Sequence, residues 1–437
     1  MGRPCSLPLV VLALSLAVHP AATQAPTGEE VDRAHKMLAQ VREDLVKYYY
    51  DSTFGGVNLD NRFHHVDSLL DHAASPGELF GHIAQFLFDL HDSHTAFLPP
   101  QRAANVDYGW AWTVLGDKCF VRFVRKDSDA QHKGLEVGDE IVSIDGMALN
   151  RQTRNLVGYV YYWLNPRPGM HLQVRKPGGS LLEADILAKV TPGERVYDYS
   201  NALSRQLIYN EYQLSAAQVH FWREFGDTVL VWHFSGFEYG DQGIDDMMDR
   251  ARSHKALILD LRNNPGGAET TILRLLGHFV DHPERVGLVH HRNKTDTLIA
   301  HPVGRTPFRG NLIVLVNANS ASASEITSRF LQLEGLSTTV GDRSEGAVMG
   351  SREFVHYVGG NKGLVYAVTV TEQDVIMNDG NRLENVGVEP EFIVLPTGAD
   401  LAAKRDPQMT KALALAGIQM DPVQASKIYS KDFARAP

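Results

Sequence analysis

Three serines stand at every second position in VLVNANSASASEIT, residues 314 to 327: Ser320, Ser322 and Ser324. A serine hydroxyl attacks a carbonyl well only when a neighbouring base takes its proton and donors receive the charge that develops on oxygen. Position separates the three. NLIVLVN reads as a buried strand ending near Asn317, and Ile326, Phe330 and Leu333 follow at spacings of four and three, so a helix begins near Ser322. Ser322 is therefore expected at a strand-to-helix turn, its hydroxyl above the sheet and the N–H groups of Ala323 and its successors directed at an incoming charge. A local reading competes: Ser322 with Glu325 three residues on is a capping-box pattern, which requires no catalysis.

A second strand end carries complementary chemistry. LILDLRNNPGG, residues 257 to 267, runs from a buried strand into Gly266 and Gly267, whose missing side chains let backbone N–H groups approach a substrate carbonyl. With Ala323 these are the candidate oxyanion donors. A thiol nucleophile is not expected. Cys5 and Cys119 are the only cysteines; the first falls in an apolar leader, and the second lies in the alternating stretch CFVRFV, where it reads as a small buried hydrophobe.

The elements that must position these groups change character along the chain. VDRAHKMLAQVREDLVKYYY and PGELFGHIAQFLFDL keep helical spacing, the latter with Pro76 at its first position after Ser75, which gives a helical region over 26–102. Over 103–192, KCFVRFV, EIVSIDG and HLQVRKPGG are short strands punctuated by glycine. Over 193–398, strands (TVLVWHFSGF, ALILDLR, NLIVLVNA) alternate with helical stretches (GIDDMMDRARSH, AETTILRLLGHFV, SASEITSRFLQLEG), which predicts a mostly parallel α/β sheet with its chemistry at the carboxyl ends of strands. A tail over 399–437 carries a helix in RDPQMTKALALAG, closed by Gly417.

Two resemblances add to this reading. KGLEVGDEIVSIDGMAL, residues 133 to 149, resembles the core of a PDZ domain, which implies a peptide added as an extra strand and a terminal carboxylate held by backbone N–H groups. By position that cradle falls on Tyr108, Gly109 and Trp110. DLRNNPGG together with NSASASEI and DPQMTKAL resembles the C-terminal processing (tail-specific) protease family, whose nucleophile, the middle serine, maps to Ser322. The resemblance implies a multidomain α+β chain: a helical N-terminal region, a PDZ-like β-domain and an α/β, crotonase-like catalytic core.

One position departs from that family. Its general-base lysine falls here on Ala347, in GDRSEGAVMG, and alanine accepts no proton. Lys362 is the alternative lysine, in a segment that reads as a turn. The tricorn-like branch of the same superfamily instead implies a serine–histidine pair and a glutamate. HDSHTAFLPP supplies Ser93 and His94, and GNRLENVGVEPEF supplies Glu384, with Glu389 and Glu391 nearby. The expectation is an exported serine endopeptidase with Ser322 as nucleophile, His94 as base, Glu384 and Ser93 orienting the imidazole, and no metal or organic cofactor. The rival is an inactive binding module, because the superfamily also resembles the interphotoreceptor retinoid-binding modules.

Bulk composition agrees with a folded, multidomain chain of 437 residues, 43% hydrophobic. A formal charge of −10, spread without a basic block, leaves no footprint for nucleic acid. Residues 1–25 read as a secretory signal, with Arg3, the apolar LPLVVLALSLAV and the small-residue end AATQA; cleavage after Ala22 is the alternative. The chain is thus expected to be periplasmic or secreted, to act on polypeptides and not to be integral to a membrane. A homo-oligomer is left open. The doublets His64-His65 and His290-His291 lack the spacing of a helical metal pair and read as solvated loops.

Overall fold

The structure, a computed structural model, describes residues 25–100, 104–192, 220–304, 306–359 and 363–430. The expected leader, apart from Ala25, and Lys362 lie outside the described residues. No helix among the described residues is long and apolar enough to cross a membrane.

Three N-terminal helices come first: α1 (Gly28–Tyr48), α2 (Leu59–Leu70) and α3 (Pro76–Phe88). Thr27 and Glu30 close a capping box on α1, and Ser75 caps α3 ahead of Pro76. The helix α2 falls within the expected helical region but was not singled out there, and it puts His64 and His65 on a helix rather than in a loop. Beyond the short strand β1 (Ala96–Leu98) come β2 (Ala104–Asp107), β3 (Trp110–Leu115), β4 (Lys118–Val124), β5 (Glu140–Ile144), β6 (Met147–Ala148), the helix α4 (Arg154–Tyr159), β7 (Gly169–Arg175), β8 (Leu181–Leu187) and β9 (Lys189–Pro192). The strands β3, β4, β5, β7 and β8 form one antiparallel sheet in that order, and β2 pairs with β9 where the chain enters and leaves the region.

The central sheet has the order β10 (Phe221–Phe225), β11 (Val229–His233), β12 (Ala256–Asp260), β15 (Asn311–Val316), β16 (Thr338–Gly341), β19 (Phe392–Ile393). Every pairing from β11 to β19 is parallel, and only β10 runs antiparallel to its neighbour. The helices α5 (Asp241–Ala251), α6 (Glu269–Leu276) and α7 (Ala323–Leu333) bury one face through Ile244, Ile272, Leu276 and Phe330. On the other face, α8 (Pro407–Leu415) covers Val231, Ile258, Ile313 and Val340 with Met409, Ala412 and Leu413. Strands buried on both sides read as continuous apolar runs, which is why LILD and LIVLV stand out in the sequence.

A second, antiparallel sheet was not expected inside the α/β region. It contains β13 (Glu284–His291), β14 (Thr295–Ala300), β17 (Met349–Val358) and β18 (Leu364–Met377), and it takes in β1 from the N-terminal region. His290 and His291 therefore lie in a strand, not in a loop. Met37, Leu38 and Val41 of α1 share a core with Val358, Tyr366, Val368 and Val370, so the N-terminal helices pack on this sheet rather than forming a core of their own. That docking carries the segment after α3, with Ser93 and His94, over to the end of the central sheet.

Candidate active site

The three serines occupy three different environments. Ser320 is 0% exposed; its hydroxyl donates to Leu261 O at 2.8 Å and accepts from Asn317 N at 2.9 Å. Ser324, also 0% exposed, donates to Asn264 O at 3.0 Å. Ser322 alone is partly exposed, at the turn between β15 and α7. Its backbone, at φ 52° and ψ −114°, is not that of an ordinary N-cap residue. A non-glycine residue held there stores on the order of 1–3 kcal/mol of strain, as in sharp strand-to-helix turns that push a nucleophile out of a sheet. The Glu325 carboxylate takes the Ser322 N–H at 3.0 Å, and the Glu325 N–H bonds the Ser322 main-chain carbonyl at 2.8 Å.

The glycine turn lies against this serine. A Cβ on Gly266, at φ 102°, would sit 2.6 Å from Ser322 Cβ and 3.0 Å from Ala323 N. The two glycines, both candidate donors in the sequence, differ in their N–H partners. Gly266 N–H is spent on Asn264 Oδ1 at 2.9 Å, so Gly266 supplies room rather than a hydrogen bond. Among the described residues, the N–H groups of Gly267 and Ala323 make no such bond and are free to serve an oxyanion. Gly266→Ala is therefore expected to lower kcat at least tenfold and to destabilise the chain, because the added methyl has neither space nor an allowed φ. A steady-state assay beside a thermal melt checks this, and wild-type kcat would contradict it.

His94 and Glu384, 290 positions apart in the sequence, meet through Ser93. Ser93 Oγ lies 2.7 Å from His94 Nδ1 and donates to Glu384 Oε2 at 3.0 Å, while Ser93 N–H donates to Glu384 Oε1 at 2.8 Å. A hydroxyl has one proton. Because Ser93 gives it to the carboxylate, Nδ1 must carry the imidazole proton, which leaves Nε2 with a lone pair able to act as a base. Burial pushes the His94 pKa below its ordinary value, against the negative charges of Asp92 and Glu345, and so favours the neutral ring. Burial raises the pKa of Glu384, opposed by hydrogen bonds from Val348 N–H and Ser93. Of the neighbouring acids, the Glu391 carboxylate accepts from Thr339 N at 2.7 Å, and Glu389 is exposed.

One segment links the serine turn to the histidine pair. Ser322 N–H donates to Ala347 O at 2.9 Å, and the next residue, Val348, donates its N–H to Glu384 Oε2 at 2.7 Å. Ala347 thus contributes backbone, in the position where the resemblance places a lysine. Among the described residues Ser322 and His94 share no hydrogen bond; a nucleophile–base contact commonly tightens only in the complex with substrate.

Sequence reasoning missed several groups. Asp92 Oδ1 accepts from His94 N–H at 2.9 Å, Thr95 N–H at 2.7 Å and Thr371 Oγ1 at 2.8 Å, fixing the histidine's backbone. The signal was present, since Asp two residues before His is an Asx-turn spacing. Arg151 pairs with Asp342 at 2.6 Å, and Arg154 pairs with Glu345 at 3.2 Å and also bonds the Ala318 carbonyl and Asn319. Nothing local in the sequence marks these two arginines. Arg262 bridges Asp260 (2.7 Å) and Asp406 (2.9 Å), tying the start of α8 to the strand end that leads into the glycine turn.

The candidate carboxylate cradle lies at the start of β3. Tyr108 and Trp110 are buried, and Gly109 N–H donates to Asp107 Oδ1 at 2.9 Å. Trp112 of β3 and Tyr162, in the π-helical turn that follows α4, lie with ring centroids 5.6 Å apart at a tilt of 37°. Peptides ending in a free acid or an amide are accordingly expected to show the same KM, within about twofold. A KM for the amide raised tenfold would restore a carboxylate site.

Residues 228–394 match peptidase family S41. Over that stretch the chain is similar to that family. That match, with the carboxyl-terminal-processing proteases it is similar to, supports a serine peptidase, a hydrolase of peptide bonds. A carboxy-terminal-processing protease of Bartonella bacilliformis is 24% identical over 272 residues, which cover 61% of this chain but 56% of that protein. A carboxyl-terminal-processing protease of Synechocystis is 26% identical over 357 residues, 77% of each chain. Among solved structures, mature CPAF superposes with a TM-score of 0.65 at 14% identity, over 92% of this chain and 98% of that one, a likeness of fold.

Proposed function

We propose that the chain is an exported endopeptidase in which Ser322 attacks the scissile carbonyl and His94, not a lysine, takes its proton. The observation that carries this reading is the His94–Ser93–Glu384 relay, which sets the imidazole tautomer and is joined to the Ser322 turn through Ala347 and Val348. His94 Nε2 removes the Ser322 proton as the tetrahedral intermediate forms, Gly267 and Ala323 N–H groups hold its oxyanion, and the imidazolium then protonates the leaving amine. Water repeats the sequence on the acyl-enzyme. Ser93 and Glu384 hold the ring and stabilise its cationic form, as the acid does in a Ser-His-Asp triad.

The substrate in this reading is a flexible polypeptide, because an extended backbone must reach a turn at the end of the central sheet. The region 103–192 is proposed as a PDZ-like domain that acts as scaffold: its Arg151 and Arg154 hold the segments 342–345 and 318–319 beside the serine turn. The leader-like first 25 residues support export. Incubating the purified chain with an unfolded protein tests the proposal. Fragmentation that the wild type produces and Ser322→Ala does not supports it; no fragmentation by either supports the binding-module rival.

A further inference from the structure

Glu325 has a use that its place in a capping pattern does not explain. It is 0% exposed, and its carboxylate accepts four hydrogen bonds: Oε1 from Ser344 Oγ (2.5 Å) and Gly346 N–H (2.8 Å), Oε2 from Ala347 N–H (2.9 Å) and Ser322 N–H (3.0 Å). Only the last belongs to the start of α7. The other three hold the loop 344–347, which in turn meets the turn carrying Glu384: Asn385 N–H bonds Gly346 O at 2.7 Å, and Val388 N–H bonds Ser344 Oγ at 2.5 Å. Among the described residues no cation pairs with Glu325, and burial pushes its pKa up to about 7 in spite of the donors. A buried carboxyl group without a counter-charge costs stability, so a cap alone is a poor account of it.

We propose that Glu325 is a positioning residue for the Ser322 chemistry: it pins the loop 344–347 so that the serine turn and the Glu384 arm keep one spacing. The proposal rests on the reading of Ser322, His94 and Glu384 given above. The loop has no long side chain to brace it where the resemblance places a lysine, only Gly346, Ala347 and Val348. Their N–H groups are consumed in order by Glu325, Glu325 and Glu384, so two carboxylates grip consecutive peptide units. Loosening either grip moves Glu384 relative to Ser322, and through Ser93 it tilts the His94 ring. Misplacement of a catalytic group by about 1 Å costs on the order of 10²-fold in rate, without a matching change in ground-state binding.

The test compares kcat and KM for one flexible peptide substrate in the wild type, Ser322→Ala, Glu325→Gln and Ser344→Ala, each with a thermal melt. Thr327→Val is the control, being buried on the same helix with no hydrogen-bond partner for its hydroxyl among the described residues. Glu325→Gln is expected to lower kcat by about 10²-fold with KM within about threefold. Ser344→Ala, which removes one donor and leaves the carboxylate, is expected to lower kcat by about tenfold, and Thr327→Val leaves it unchanged. Folded Glu325→Gln protein with wild-type kcat overturns the proposal and leaves Glu325 a cap; where that variant does not fold, wild-type kcat in Ser344→Ala does the same. A wild type without Ser322-dependent hydrolysis overturns both this proposal and the reading it rests on, whereas an active wild type with insensitive Glu325 and Ser344 variants overturns this proposal alone.

Discussion

Ser322→Ala is expected to abolish hydrolysis, with kcat reduced on the order of 10⁴-fold or more, while Ser320→Ala and Ser324→Ala keep most of it. The difference follows from what each hydroxyl does. Ser320 and Ser324 are both fully buried and donate to the backbone carbonyls of Leu261 and Asn264, so their loss leaves a buried acceptor unpaired and costs about 1–3 kcal/mol of stability. Neither hydroxyl reaches solvent. Ser322 is partly exposed, sits in the strained turn and lies beside the free N–H groups of Gly267 and Ala323. The outer two variants should therefore show lowered melting temperatures and near-normal kcat, and the middle one the reverse. Equal loss of activity in Ser320→Ala and Ser322→Ala, with both folded, would remove Ser322 from its assigned role.

His94→Ala is expected to cost on the order of 10² to 10⁴ in kcat/KM, the range for removing a general base. Glu384→Gln and Ser93→Ala should lose less, because they hold the ring rather than the reacting proton. The pH dependence distinguishes an imidazole base from a lysine. Burial lowers the His94 pKa, so the ring is neutral, and able to accept a proton, at and above neutral pH. The kcat/KM of the wild type should then be flat near pH 7 and fall only as pH drops below about 6.5, where the imidazole charges. Glu384→Gln removes a negative charge that favours the imidazolium, so it should move this acid limb to still lower pH. An acid limb above pH 8 would instead indicate a lysine.

How much of this was legible in the sequence depends on the range of the interaction concerned. Ser322 was placed correctly because strand, turn and helix follow one another within 20 residues, and the apolar run and the helical spacing are local signals. The outer serines could not be assigned their carbonyl partners, which lie on the preceding strand end some 60 positions away. Gly266 or Gly267 was read as a donor because a glycine signals close approach; that Asn264 takes the Gly266 N–H is side-chain geometry that spacing does not show. Ser93, His94 and Glu384 came only from resemblance, since nothing in HDSH predicts a partner 291 residues away.

The second sheet was missed for a related reason. VGLVHH and LVYAVTVTEQDVIM carry strand character, but alternation does not say which sheet a strand joins, and β18 pairs with β1, β13 and β17 across the chain. The glycine-rich motif of 133–149 marked its own region correctly as strands and turns. For the candidate peptide cradle, the burial of Tyr108 and Trp110 is a tertiary outcome that spacing does not show. Glu325 was legible as a cap and illegible as a pin, because three of its four partners lie about 20 residues further on.

The central claim is that His94 activates Ser322. The rate at which a fluorophosphonate labels Ser322, mapped to that residue and followed from pH 5 to pH 9 in the wild type and in His94→Ala, tests it without reference to any substrate. The account predicts wild-type labelling that rises through a pKa below about 6.5 to a plateau, and labelling in His94→Ala slower by on the order of 10²-fold or more with that limb gone. Labelling of folded His94→Ala at the wild-type rate, with the same limb, would contradict it.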